Sequence, residues 1–280
     1  MAKNIYITES QLKHICENNG LVLEHETVVD NMADAEKMIR QQWSSPDDFW
    51  FIQITQRKKD FRSYNARHGG ISKWWNRDPS VDGTSRENFA GYGVVKGKTA
   101  DDAVDCLKNI TIKLNPWAEK LVGSKSVPSQ GNAEAVYTVC DKLYARAYIT
   151  INKRSMNWVQ ARIQNRIANG ILRAFEIESS RLHDNPRDEQ YYPWVMIDMD
   201  IDNPKAWAEM DKYLASQGFN PSIVHKSHDG IHYFFNSPKI ANAMVRFQQF
   251  NKYATNNKPG DPPVLIKRDA KMILYSPCGQ

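Results

Sequence analysis

The stretch Trp194-Val-Met-Ile-Asp198-Met-Asp200-Ile-Asp202 alternates apolar and acidic residues with a period of two. A β-strand sends successive side chains to opposite faces. The spacing therefore predicts a strand with Val195, Ile197, Met199 and Ile201 in a core and Asp198, Asp200 and Asp202 along the other face. Carboxylates held two apart on a rigid strand repel one another unless a cation lies between them. Mg²⁺ and Mn²⁺ favour such hard oxygen ligands and complete their shells with water and substrate phosphates. The pattern points to a metal–phosphate site, and an edge strand with a solvated acidic face is the plainer alternative. Asp202 precedes Asn203-Pro204, so capping of the next helix is the role expected of it.

Length and composition narrow the class. A chain of 280 residues suits one large domain or two small ones. An apolar content of 41% beside 25% charged residues is ordinary for a globular protein. No apolar run is long enough to span a bilayer, and the N-terminus lacks an apolar signal core, so no membrane partner and a cytoplasmic location are expected. Cys16, Cys106, Cys140 and Cys278 are widely separated and form no CxxC pair. Neither a zinc knuckle nor a disulfide framework is indicated. The net charge of +5 suits a polyanionic partner without identifying one.

Periodicity and turn residues predict an α+β fold. Expected helices cover Thr8 to Asn18, Asn31 to Gln42 and Thr99 to Ile110; strands cover Phe49–Thr55 and Gly91–Val95. The Gly/Ser/Pro-rich segment 123–132 has linker composition and suggests a boundary between an N-terminal accessory region, 1–125, and a second unit, 133–280. In the second unit a strand at 143–152, a helix from Asn157, the acidic strand and a helix at 204–217 follow one another. Ser222–Lys226 and Ile231–Phe235 read as a hairpin around Asp229-Gly230; a helix follows at 240–253, and Val264–Lys267 with Met272–Tyr275 read as a last strand pair. The order β-α-β-α-β-β-α-β-β predicts a mostly antiparallel sheet with helices on one face, near the ferredoxin/RRM-like plan.

Two further clusters extend the acidic strand. In Lys226-Ser-His-Asp-Gly-Ile-His232, Gly230 permits close backbone approach to a phosphate, and Ser227 and His232 add donors. In Lys267-Arg268-Asp269, the acid adds a carboxylate, and the two cations can balance a triphosphate. A DxD on a strand, then Ser-x-x-Gly-Ile-His before an apolar strand, then an Asp before the last strand resembles the archaeo-eukaryotic primase (primase-polymerase) superfamily. The resemblance covers about 143–280 and implies an RRM-like palm. It implies that Asp198, Asp200 and Asp269 are catalytic and bind two Mg²⁺ or Mn²⁺ ions. It further implies that Ser227 and His232, with Lys226, Lys267 or Arg268 nearby, hold a nucleoside triphosphate. The abbreviated motif set is similar to that of phage or mobile-element members. His228 stands where the family usually has Gly, and the usual turn after the third motif is replaced by Tyr275-Ser276-Pro277.

The resemblance implies strand synthesis on a single-stranded DNA or RNA template, with a helicase or other replication protein as a possible partner. Other readings are a non-catalytic nucleic-acid- or nucleotide-binding protein on a degenerate palm, and a metal-dependent phosphoesterase or nuclease. Rolling-circle endonucleases use His-x-His on a similar sheet, but position 234 is Phe. Gly91 to Thr99 lacks phosphate-loop spacing and reads as strand, turn and helix.

The segment from Arg57 carries Lys58, Lys59, Arg62, Arg67, Lys73 and Arg77 against one acid, Asp60, with Tyr64 and Trp74 among the interleaved aromatics. Such a mixture can track a phosphate backbone while bases stack on rings; a solvated face is the alternative. Arg146 and Tyr148, two apart on the predicted strand at 143–152, share a face and could approach a phosphate.

Overall fold

The computed structural model describes residues 28–57, 87–168, 175, 179, 193–226, 230–253, 263–268 and 270–277. They form an α+β structure with two antiparallel sheets. The first half supplies β1 (Val29–Asp30), α1 (Met32–Gln42), β2 (Asp48–Arg57), β3 (Glu87–Lys96), α2 (Ala100–Lys108), β4 (Thr111–Leu114), α3 (Pro116–Val122) and β5 (Ser126–Pro128). Next come α4 (Glu134–Leu143), β6 (Arg146–Thr150), β7 (Arg154–Ser155) and α5 (Met156–Ala168). The last part comprises β8 (Val195–Met199), α6 (Pro204–Ser216), β9 (Ile223–Lys226), β10 (Ile231–Phe235), a 3₁₀ helix (Pro238–Tyr253), β11 (Val264–Lys267) and β12 (Lys271–Ser276). None of the described helices is long and apolar enough to cross a membrane.

The large sheet runs β1-β12-β6-β2-β3-β4-β5, with β7 beside β2. Alternation on β2 divides its sides: Trp50, Ile52 and Ile54 enter the main core, whereas Phe49 and Phe51 pack with Val159 of α5. The main core also takes buried residues from α1, α2, α3 and α4. Helices thus cover both faces of this sheet, because β2 is apolar on both sides. Local chemistry explains individual ends. Thr99 accepts from the Asp102 backbone N–H while the Asp102 carboxylate accepts from the Thr99 N–H, so two orphan donors at the start of α2 are satisfied.

Strands from both sides of 123–132 join the large sheet. Within that segment Ser126–Pro128 forms β5 and pairs with β4. The strand expected at 143–152 is β6; it pairs with β2 and β12, not with the acidic strand. The expected final strand pair is also corrected. β11 pairs with β8 in the small sheet, whereas β12 pairs with β6 and β1 in the large one.

The small sheet runs β11-β8-β10-β9, and its connectivity is β-α-β-β-3₁₀-β. This arrangement is consistent with a ferredoxin-like α+β fold. Val195, Ile197 and Met199 pack with Ala206, Met210 and Leu214 of α6 and with Phe247 and Phe250 of the 3₁₀ helix. The opposite side chains, Met196, Ile223 and Phe234, join the core of the large sheet. That second face is the seam between the sheets, and Asp198 lies on it.

Candidate functional site

The antiparallel register aligns charged side chains across the seam. Leu265, Asp198, His232 and His225 occupy one cross-strand row over β11, β8, β10 and β9. Asp198 is buried, with a side chain only 7% exposed. His232 Nε2 lies 3.0 Å from Asp198 Oδ1. The Lys267 ammonium, projecting from β11, contacts Asp198 Oδ2. Burial alone pushes the Asp198 carboxyl up, but His232 and Lys267 outweigh it and hold the group down at about 2. The carboxylate is therefore ionised throughout the neutral range.

The row continues beyond the small sheet. His225 Nε2 lies 3.0 Å from Asp34 Oδ2 on α1, and His225 Nδ1 lies 3.4 Å from Asn31 Nδ2. Asn31 also donates to the Ile273 carbonyl at 2.7 Å. Burial lowers the His225 pKa, Asp34 opposes that shift, and His232 reinforces it. His225 lies in the same cross-strand row as Asp198, one strand beyond His232. Asp34 carried no sequence signal, since it sits in an ordinary amphipathic helix 191 positions from His225.

Asn152 fixes the backbone frame. Its side-chain amide donates to the carbonyls of Trp194 and Arg268, each at 2.9 Å. Its Oδ1 accepts from Trp194 N–H at 2.9 Å. One buried side chain thus ties the end of β6 to the start of β8 and to the residue after β11. Gly230 has a second structural reason beyond the phosphate approach predicted for it. A Cβ there would lie 2.0 Å from the Met199 carbonyl oxygen, so the chain after the hairpin turn crosses tightly over the end of β8.

Of the expected residues, Asp198, His232 and Lys267 converge. Asp200 lies just past β8 and is exposed, and its N–H donates to the Pro263 carbonyl at 2.9 Å. Lys226 pairs in register with Ile231, on the face opposite Asp198, and its ammonium lies 5.7 Å from the Trp207 ring centre. It is therefore not part of the Asp198 cluster, because it is one residue out of phase with His225. Arg268 follows β11, and its carbonyl is held by Asn152. Asp202 does not cap α6; Asn203 does, accepting from Lys205 N–H at 3.0 Å. Arg57 ends β2, and Arg146 is buried in β6. Ser227, Asp269 and the proposed contact residues Lys58, Lys59, Arg62, Tyr64, Arg67, Lys73 and Trp74 lie outside the described residues.

Both oxygens of Asp198 already have a neighbour, Lys267 at Oδ2 and His232 near Oδ1. Oδ1 is buried and has no aligned hydrogen-bond donor among the described residues, although His232 is close. Among the described residues no group of three His, Cys, Asp or Glu converges on one point. No family model, curated protein or solved structure matches this chain.

Proposed function

We propose that this chain is a metal-dependent nucleotidyltransferase of the primase-polymerase type, adding nucleotides from nucleoside triphosphates to a nucleic-acid strand. The observation that carries the reading is the meeting of Asp198, His232 and Lys267, which come from three separate sequence clusters. Their order along the chain and their setting on a β-α-β-β-3₁₀-β sheet suit an RRM-like palm. Asp198, Asp200 and Asp269 are the residues that would hold Mg²⁺ or Mn²⁺. A divalent pair of this kind neutralises phosphate charge and steadies the entering and leaving oxygens. His232 and Lys267 supply donors beside the ionised Asp198, where phosphate oxygens would be oriented and their charge balanced. The sheet seam buries Asp198, while the side chains of His232 and Lys267 stay 24% and 42% exposed and open to a ligand.

The test is strand synthesis from labelled nucleotides on single-stranded and primed templates with Mn²⁺ or Mg²⁺. The wild type should yield metal-dependent product that disappears in the Asp198→Ala/Asp200→Ala double variant. Nucleic-acid cleavage without pyrophosphate release would instead support a phosphoesterase.

One observation favours a second reading. The Lys267 ammonium already neutralises Asp198, as a cation would. A palm that had lost catalysis could keep such a pair and bind nucleic acid or nucleotide without turnover. Unchanged nucleic-acid binding in the double variant, with no synthesis by either protein, would select this reading.

A further inference from the structure

A second group of residues stands out on the other side of the large sheet. Tyr92 of β3 is flanked in register by Gln53 of β2 and Lys113 of β4. A cleft of about 430 Å³ opens there, lined by Tyr92, Phe175, Lys113, Thr111, Asn109 and Cys106 among others. This volume lies in the range of small-molecule sites. The aromatic wall is prepared before any ligand arrives. Phe51 stacks on Tyr92 with ring centres 5.6 Å apart and planes at 24°, and Phe175 meets Tyr92 at 5.7 Å and 45°. Buttressing of this kind fixes the tyrosine ring and lowers the ordering cost of a planar ligand.

Charge at the cleft is one-sided. The described lining contains a single cation, Lys113, and no carboxylate. The Lys113 ammonium lies over the Tyr92 ring, 5.9 Å from its centre, so the aromatic wall carries a positive charge beside it. Thr111 adds a hydroxyl at the rim. Asn109 donates its amide to the Asp105 carbonyl at 3.0 Å, leaving its oxygen as an acceptor. An aromatic wall, one cation and small neutral hydrogen-bonding groups match a planar heterocycle carrying an anion.

We propose that this cleft binds a nucleobase with its adjacent phosphate, the ring against Tyr92 and Phe175 and the phosphate toward Lys113. The ligand has the same chemistry whether it is a free mononucleotide or one unstacked base of a single strand. This site is separate from the Asp198 cluster and stands whether or not that cluster is catalytic.

The experiment uses the full chain and three probes: adenosine monophosphate, a labelled deoxythymidine oligomer and an abasic oligomer of equal length. Binding is followed by anisotropy or calorimetry, together with the rate at which N-ethylmaleimide alkylates Cys106, read by mass spectrometry. Cys106 is partly exposed at the cleft, so an occupied cleft should slow its alkylation at least threefold. Lys113→Glu changes an exposed side chain and should weaken the base-containing probe about tenfold; Tyr92→Leu should do the same, within the range for one base–aromatic stack. Circular dichroism checks that both variants are folded. Protection by the mononucleotide alone identifies a free nucleotide, and protection by the oligomer identifies a strand; either supports the site. Equal binding of the abasic oligomer, with Cys106 unprotected and Lys113→Glu unchanged, overturns it. Asp198→Ala should leave the protection of Cys106 unaltered even where it changes total binding, so failure of one site is distinguishable from failure of the other.

Discussion

His232 stands directly opposite Asp198 on neighbouring antiparallel strands, with its Nε2 3.0 Å from the carboxylate. The pairing is a product of register: shifting β10 by one residue would send the imidazole into the α6 side of the sheet. Two clusters separated by more than one element along the chain thereby become a single charged centre.

Under the proposed function, Asp198→Asn should lower metal-dependent strand synthesis at least 100-fold with little change in size or shape at the site. His232→Ala should lower it about tenfold or more. Single-turnover synthesis, with melting curves recorded alongside, checks this; full activity of Asp198→Asn would remove Asp198 from the centre.

Acid should weaken the fold through the same residue. The Asp198 pKa falls from an ordinary 3.8 to about 2 on folding. The unfolded chain therefore takes up the proton first as pH drops. The stabilisation is complete above about pH 5 and is lost as pH falls from about 4 through about 2, amounting to about 2 kcal/mol. Urea midpoints measured from pH 7 to pH 2 should show this loss in the wild type and a flatter acid limb in Asp198→Asn.

His225 acts in a milder range. Burial outweighs the opposing Asp34 and holds its folded pKa below the ordinary 6.5. Its stabilising contribution is present above pH 6.5 and declines as pH falls toward the folded value, because the unfolded imidazole protonates first. Replacing Asp34 with Asn should lower the His225 pKa further. Proton-detected titration of the His225 ring in both proteins gives the direction directly, and an upward shift in the variant would contradict the assignment.

Asn152→Ala should cost about 2–4 kcal/mol, since it leaves buried carbonyls of Trp194 and Arg268 and the Trp194 N–H without their partner. Denaturant unfolding measures the loss. Hydrogen exchange should place the increased opening at the start of β8 and near β11, where the site is framed.

A fragment beginning at 133 should fail to fold as an independent unit. It retains β6 and β12 but lacks β2 and β1, to which they pair. The exposed strand edges favour association. Size-exclusion chromatography and amide dispersion would check this, and a monomeric, well-dispersed fragment would refute it.

Sequence periodicity exposed the parts of the fold that depend on neighbours in the chain. Alternation along β8 correctly separated Val195, Ile197 and Met199 from Asp198. Asp229-Gly230 marked the connection between β9 and β10, which do pair. The partner of β6 was not legible, because β2 and β8 offer equally apolar strands and local pattern does not choose between them. β5 escaped notice since three residues including Pro128 resemble a linker until β4 pairs with them. The Asp34–His225 contact was invisible for a similar reason: only tertiary packing brings α1 to β9. Asn203 rather than Asp202 caps α6 because the cap must stand immediately before the first helical residue.

The bond from Asn31 to the Ile273 carbonyl joins positions 242 apart. Beside it, β1 pairs with β12. During synthesis, a growing chain cannot close this edge of the large sheet until β12 has emerged. Such long-range pairing favours slow folding and leaves β6 temporarily in need of a protected edge. The order in which the strands are made thus keeps one side of β6 open for most of synthesis.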